Sequence, residues 1–97
     1  MARVKRKIVT ICGSMRYFPE MLVEAKRLTA EGWIVLMPFV LKPPSSTQAI
    51  ELSDPLMGLH RDKIDMSDSI LVVGEPGTST LDEIAYAIST GKEVETA

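Results

Sequence analysis

One segment, residues 70–87, constrains the fold of this chain more than any other. It begins with the apolar run ILVV, passes through a Pro-Gly turn and three hydroxyl residues, and continues with a helical pattern. A strand that leads through a tight turn into a helix is typical of α/β folds with a parallel sheet. The unpaired backbone N–H groups of the helix and the positive end of its dipole also favour an anion at that turn.

The rest of the chain repeats this alternation of strand and helix. Apolar strand patterns cover four ranges, and helical patterns separate them: residues 7–12, 33–37, 69–74 and 92–95. We therefore predict an α/β fold, a small flavodoxin/Rossmann-like three-layer sandwich with a parallel sheet in the order 2-1-3-4. Ligands of such sheets bind beyond the carboxyl ends of the strands, where the loops of residues 13–16 and 74–80 meet. Residues 39–53 form a Pro- and Ser-rich loop, either a binding lid or a floppy connector.

Spacing within the helical patterns predicts helix ends and inward faces. The first helix is expected to end at Gly32. The last helix is expected to begin at Ser79 or Thr80, in a capping-box pattern with Asp82 or Glu83, and to end at Gly91. In the second helix, which begins at Asp54, one shared face carries Leu56, Leu59 and Met66. In the last helix the face predicted against the sheet carries Leu81, Ile84, Ala85 and Ile88. The methionines assigned to the core are Met21, Met37, Met57 and Met66.

Composition limits the classes of function. The 97 residues are 45% apolar and 25% charged, which fits one soluble globular domain over residues 1–97. A net charge of -2 gives no reason to expect a nucleic-acid partner, and the basic arm at Arg3, Lys5, Arg6 and Lys7 is interpreted as solvated. The single cysteine fits a reducing compartment. No apolar run approaches the ~20 residues that span a bilayer, so we expect a cytoplasmic protein without a membrane partner.

The two loops that meet at the predicted switch point carry groups suited to an anionic ligand. Gly13 leaves room for close backbone approach, Ser14 offers a hydroxyl, and Arg16 offers a planar charged fork for a phosphate or carboxylate. On the other loop the candidate donors are Gly77, Ser79 and Thr80. The alternative is that Gly13 serves only the turn and Arg16 is a surface charge.

Several carboxylates lie near this predicted site. Glu83 is either a first-turn acid favoured by the helix dipole or a nucleophile able to attack an electrophilic sugar carbon. Cleavage of a glycosidic bond also needs a second acid for the leaving group. On position alone, Asp62, Asp65 and Asp68 remain open for that role.

His60 and Cys12 are given structural roles. His60 is the only histidine, and without a Cys or His cluster in the sequence we expect a surface side chain and no metal site. Cys12 ends a buried strand pattern and is interpreted as a small core residue rather than a nucleophile.

Three segments carry a resemblance to a known family. They are ICGSMR at residues 11–16, DKIDMSDSILVV at 62–73, and GTSTLDEIAYA at 77–87 with Gly91-Lys92 beyond. Together they resemble the nucleoside 2-deoxyribosyltransferase superfamily, and most of all its 2′-deoxynucleoside 5′-monophosphate N-glycosidase branch with small phage and bacterial relatives. The resemblance implies that Glu83 is the nucleophile and that Asp62, or Asp65 one turn later, assists the leaving base. The substrate-binding residues it implies are Cys12, Gly13, Ser14, Arg16, Gly77, Ser79 and Thr80.

The implied activity is cleavage or transfer of the N-glycosidic bond of a nucleoside or nucleoside 5′-monophosphate, through a covalent intermediate on Glu83 and without a cofactor. The alternative is a non-catalytic nucleotide-binding or sensing module, which is favoured by Thr10 standing where the family commonly has tyrosine. Other departures are Ser79 in place of a common glycine and a chain that ends soon after the fourth strand. A third possibility is an inert α/β domain that serves assembly. Exposed sheet edges and a small core also predict a homodimer or larger homo-oligomer.

Overall fold

A computed structural model describes residues 6–38 and 54–97, and for residues 54–57 the backbone alone. The predicted loop of residues 39–53 lies outside the described residues, as do Arg3 and Lys5 of the basic arm. The elements in chain order are β1 (Ile8–Cys12), a short 3-10 helix (Met15–Tyr17), α1 (Phe18–Ala30), β2 (Ile34–Leu36), α2 (Asp54–Met66), β3 (Ser69–Val72), α3 (Thr78–Ser89) and β4 (Glu93–Thr96).

The four strands form one parallel sheet in the order β2-β1-β3-β4. This confirms both the predicted α/β class and the predicted strand order. The register sets Val9 of β1 beside Val35 of β2 and Ser69 of β3. All strands point the same way, so the loops after β1 and β3 lie at one edge of the sheet. No helix among the described residues has the length and apolar character to cross a membrane.

Helices cover the sheet on both faces, which gives three layers. Successive residues of a strand point to opposite faces, so Val9 and Ile11 face α1 while Thr10 and Cys12 face α2 and α3. The core on the α1 face is formed by Val9, Ile11, Met21, Leu28, Leu71 and Val73. The core on the opposite face is formed by Cys12, Ile64, Ile70, Val72 and Ala87.

The predicted inward faces of α2 and α3 were wrong at most positions, although Ile84 of α3 packs against the core as predicted. In α2, Leu59 is 56% exposed and Met66 is 62% exposed, while His60 and Ile64 are buried. The side chains of Leu56 and Met57 lie outside the described residues. Met66 is therefore not a core residue, whereas Met21 is fully buried and Met37 is half-buried.

In α3 the predicted inward face differs from the observed one by about one residue position. Leu81 is 55% exposed and Ile88 is 63% exposed, while Thr80 and Ala87 are buried with Ile84 partly buried. Ala85 is exposed as well. Residues 80, 84 and 87 share a helix face, and the small Thr and Ala side chains let the helix axis approach the sheet closely.

The ends of the helices follow backbone chemistry. α1 and α3 are each followed by a glycine at positive φ, Gly32 at 94° and Gly91 at 79°, as the sequence predicted. At the start of α3 the prediction was wrong, because Gly77 is the N-cap and makes no side-chain cap. The predicted capping box from Ser79 or Thr80 is therefore absent from α3, and Thr80 instead turns inward. Glu83 consequently lies in the second turn rather than the first.

Candidate functional site

The candidate site lies beyond the carboxyl ends of β1 and β3, between the sheet and the α2/α3 layer. Three elements each contribute one side chain: Cys12 ends β1, His60 comes from α2, and Glu83 comes from α3. Cys12 Sγ lies 3.7 Å from His60 Nε2, and Glu83 Oε2 lies 3.3 Å from the same nitrogen. The three donor atoms all fall within 4.8 Å of one another. Alternate residues of β1 point to opposite faces of the sheet, and Cys12 points to the face covered by the helices that carry His60 and Glu83.

These side chains are largely removed from solvent. The side chain of His60 is 7% exposed and that of Glu83 is 15% exposed, while Cys12 is fully buried. His60 Nδ1 and Glu83 Oε2 have no hydrogen-bond partner among the residues that the structure describes. The 3.3 Å approach of Glu83 Oε2 to His60 Nε2 is thus close in distance but lacks the angles of a hydrogen bond. Buried polar atoms without partners are uncommon, and such atoms are typical of functional sites.

Burial also determines the protonation state of the Cys12 thiol. Removal from water raises the pKa of Cys12 far above its usual value, and the nearby Glu83 carboxylate raises it further. The thiol therefore stays protonated at neutral pH. A protonated, fully buried thiol is a poor nucleophile, which agrees with the prediction that Cys12 is not one.

The arrangement also differs from that of a thiol or serine hydrolase. Such triads place the nucleophile on one imidazole nitrogen and the orienting acid on the other. Here Cys12 and Glu83 both face Nε2, and Nδ1 has no partner among the described residues. The imidazole of His60 is therefore not set up to relay a proton from the Cys12 thiol to a carboxylate.

A shallow pocket opens beside Glu83. Its space is about 260 Å³, counted with the solvent in its mouth, and its lining residues are His60, Arg61, Ser79, Asp82 and Glu83. Of the residues predicted for the site, Glu83 and Ser79 line this pocket. Sequence reasoning missed His60, Arg61 and Asp82 as lining residues. The prediction of a surface His60 was wrong, although its spacing with Ile64 and Ser67 marks the buried face of α2.

The predicted phosphate loop lies at the same edge of the sheet. Ser14 is in extended backbone and its carbonyl accepts a hydrogen bond of 2.9 Å from the backbone N–H of Tyr17. Arg16 is exposed, and its guanidinium lies 4.9 Å from the centroid of the Tyr17 ring. A side chain at Gly74 would collide with that ring, so Tyr17 spans the two loops that follow β1 and β3.

Gly13 also lies close to the end of β3, against the backbone of Val73. It has a φ of +155°, and an added Cβ would lie 2.6 Å from the carbonyl oxygen of Val73. Gly77 is exposed at the start of α3, and Thr80 is only 3% exposed. The structure thus holds the two predicted loops together, with Gly13 against the residue that precedes the second loop.

The three aspartates considered for the second acid occupy different places. Asp68 lies at the amino edge of the sheet, where its carboxylate accepts a 2.8 Å hydrogen bond from the backbone N–H of Ile8, so it is remote from Glu83. Asp65 accepts a 2.6 Å hydrogen bond from the Tyr86 hydroxyl. Asp62 is exposed on α2 and does not line the pocket with Glu83.

Comparisons of the chain with protein-family models, with curated proteins and with solved structures each found no match. The resemblance to the nucleoside 2-deoxyribosyltransferase superfamily stays a prediction from three sequence segments. What the site can do chemically follows from its residues: a mostly buried carboxylate, an imidazole and a thiol between two helices and the end of a strand.

Proposed function

We propose that the chain binds a nucleoside or nucleoside 5′-monophosphate at the carboxyl ends of β1 and β3 and cleaves or transfers its N-glycosidic bond. The observation that supports this is the state of Glu83. Its carboxylate lines a pocket, is 15% exposed, and has an oxygen without a hydrogen-bond partner among the described residues. A carboxylate that is mostly desolvated and held on a helix is suited to attack an anomeric carbon.

The reaction has two bond changes. A Glu83 oxygen donates an electron pair to the anomeric carbon, and the C–N bond breaks with its electrons passing to the base. The resulting glycosyl ester is then opened by water, or by a second base in a transfer reaction. The attacking oxygen and the anomeric carbon must approach to ~3 Å, which the loop of Gly13, Ser14 and Arg16 favours by holding the 5′-phosphate.

The departing base needs a proton. The resemblance assigns this role to Asp62, and that assignment stays a prediction. The position of His60 supports a different choice, because its imidazole lines the pocket with Nε2 3.3 Å from Glu83 Oε2, and an imidazole can act as a general acid. We therefore assign proton donation to His60 first and keep Asp62 as the competing candidate.

The experiment is base release from a panel of nucleosides and nucleoside 5′-monophosphates, followed by chromatography. Glu83→Gln is expected to lower the rate by about 10³-fold or more, because it removes the attacking charge but keeps the shape. Glu93→Gln, at an exposed acid of β4, is the matched control and should retain the rate. Comparing the rates of base release by His60→Gln and by Asp62→Asn identifies the proton donor. Release that survives unchanged in Glu83→Gln rules out the nucleophile.

A non-catalytic nucleotide-binding module is the second candidate. It is favoured by Thr10, whose hydroxyl is buried against Ser67 and the backbone of Lys63 and so offers no group to a substrate. A thermal shift with a nucleotide, combined with no base release by the wild-type chain, would select this function. The predicted homo-oligomer remains a proposal as well, and light scattering of the purified chain tests it.

A further inference from the structure

We propose that Cys12, His60 and Glu83 form a binding site for a divalent transition-metal cation, and that Zn²⁺ is the ion that best matches the donors. The sequence led us to expect no metal site, because the three residues are far apart along the chain. The fold brings them together from β1, α2 and α3.

The chemistry of the donors selects the class of ion. A thiolate sulfur, an imidazole nitrogen and a carboxylate oxygen are the three protein ligands that zinc uses, whereas Mg²⁺ and Ca²⁺ prefer oxygen alone. Three protein ligands also leave one position of a tetrahedron for water or a ligand atom. The pocket lined by Ser79 and Asp82 opens on the Glu83 side of the cluster.

Two of the three donor separations match a tetrahedral ion. With zinc bonds of ~2.0–2.3 Å, neighbouring ligand atoms of a tetrahedron lie about 3.3–3.6 Å apart. The separations in the structure are 3.3 Å between Glu83 Oε2 and His60 Nε2, and 3.7 Å between Cys12 Sγ and His60 Nε2. Cys12 and Glu83 lie within 4.8 Å of each other, so a cation would draw these two side chains together by up to about 1 Å.

The hydrogen bonding within the cluster also favours a bound cation. Glu83 Oε2 lies close to His60 Nε2 without bonding to it, and it is buried with no other partner among the described residues. A cation between them would use the lone pairs of both atoms and leave the imidazole proton on Nδ1. The His60 side chain is 93% removed from solvent, as its 7% exposure shows, so this imidazole is held in place rather than free at the surface.

Binding has a defined proton balance. The imidazole and the carboxylate coordinate in their neutral and ionised forms, while the Cys12 thiol must give up its proton to the buffer. One proton is therefore released for each ion bound. Binding of a cation does not require the proposed glycosidic activity. The two roles of Glu83 compete, because a cation on Oε2 withdraws charge from the carboxylate and weakens it as a nucleophile.

The test uses the metal-free, tag-free chain titrated with Co²⁺, whose tetrahedral thiolate complexes show a sulfur-to-metal charge-transfer band and strong visible bands. The chain has one cysteine and one histidine, so any such band reports on Cys12. We expect a band that saturates at one ion per chain, is displaced by Zn²⁺, and is lost in Cys12→Ala. Glu83→Gln and His60→Gln should each weaken binding about 100-fold or more, whereas Glu93→Gln should not.

Circular dichroism of each variant shows whether the fold is retained. If a variant unfolds, the conclusion is drawn from the variants of the other two proposed ligands. Absence of the charge-transfer band with the wild-type chain overturns the proposal. So does a band that Glu83→Gln and His60→Gln both leave unchanged. Because no nucleotide is present, these outcomes are separate from those of the base-release assay. Suppression of base release by Zn²⁺ would require both proposals to hold.

Discussion

The two faces of the sheet are built from alternate residues of the same strands, yet they differ in chemistry. On the α1 face the core cluster consists of Val9, Ile11, Met21, Leu28, Leu71 and Val73, and Ser69 is the one buried polar residue that strand alternation places beside it among the described residues. On the α2/α3 face, apolar residues share the interior with Thr10, His60, Ser67 and Glu83. One face therefore supplies stability by apolar burial, whereas the other accepts the desolvation of polar groups.

The α2/α3 face, the polar face of the sheet, shows a second contrast between the middle of its strands and their carboxyl ends. Near the middle of β1, the Thr10 and Ser67 hydroxyls lie 2.5 Å apart, and they lie 3.0 and 2.7 Å from the backbone carbonyl oxygen of Lys63, so one hydroxyl donates to the other and the second donates to that carbonyl. At the carboxyl end, His60 Nδ1 and Glu83 Oε2 are buried without hydrogen-bond partners among the described residues. Satisfied polar groups specify packing, and unsatisfied ones mark where a ligand would bind.

The largest predicted effect separates the two faces at adjacent residues of β1. Ile11 is fully buried on the apolar face, so Ile11→Ala should lower the free energy of unfolding by about 2–5 kcal/mol through lost burial and a cavity. Cys12→Ala on the other face removes one sulfur and should lower it by about 1 kcal/mol. Urea unfolding of the metal-free chain measures both. Equal losses would mean that the two faces contribute alike to stability.

The next effect concerns the contact between the first loop at the site and the end of β3. In Gly13→Ala the new Cβ would meet the Val73 carbonyl at 2.6 Å and the Met21 side chain at 2.8 Å, at a φ of +155°. We expect a loss of about 1–3 kcal/mol in the free energy of unfolding. Gly77→Ala is the matched control, because an added Cβ there meets no atom of the described residues within 4 Å and φ is -85°. A Gly13 variant as stable as the Gly77 variant would refute the close approach of Gly13 to Val73.

A smaller effect tests whether the paired hydroxyls in the middle of the polar face act as a unit. Thr10→Val keeps the shape of the side chain but removes the hydroxyl that meets Ser67, at a cost of about 1–2 kcal/mol. Ser67→Ala should cost a similar amount. In the double variant no hydroxyl is left unpaired, so the total loss should fall below the sum of the single losses by about 0.5–1 kcal/mol. Strict additivity of the unfolding free energies would show that the hydroxyls do not interact.

The sequence was sufficient for the parts of the fold that depend on local chemistry. Short β-branched runs separated by helical patterns gave the strand order, and Gly32 and Gly91 marked the helix ends. It was insufficient for the inward faces of the helices. In α3 the prediction selected the most hydrophobic stripe, through Leu81 and Ile88, whereas the smaller Thr80 and Ala87 lie where the helix approaches the sheet.

The sequence was also insufficient for the whole set of residues at the site. Glu83 could be predicted as a site residue because the turn and helix that carry it form one continuous segment. His60 was missed because its partners, Cys12 and Glu83, lie 48 and 23 residues away in sequence. A lone histidine carries no local signal, and only the packing of α2 against β1 and α3 brings it next to a thiol and a carboxylate.

The smallest effect lies at the solvent-exposed border of the polar face, where α2 meets α3. The hydrogen bond to the Asp65 carboxylate raises the pKa of the Tyr86 hydroxyl, with desolvation and the Asp65 charge adding to it and the Arg61 charge opposing it. The pKa is raised in the folded chain, so this contact stabilises the fold below the ordinary tyrosine pKa of about 10 and stops doing so as pH rises above it.

Ultraviolet titration of tyrosinate measures this pKa. The chain has two tyrosines, so Tyr17→Phe isolates the signal of Tyr86. In that background Asp65→Asn should lower the pKa of Tyr86 towards its ordinary value, because the ionised acceptor is gone, while Glu93→Gln should leave it unchanged. The effect on the free energy of unfolding should be slight, since both partners are exposed to water. An unchanged Tyr86 pKa in Asp65→Asn would show that this contact between α2 and α3 does not form in solution.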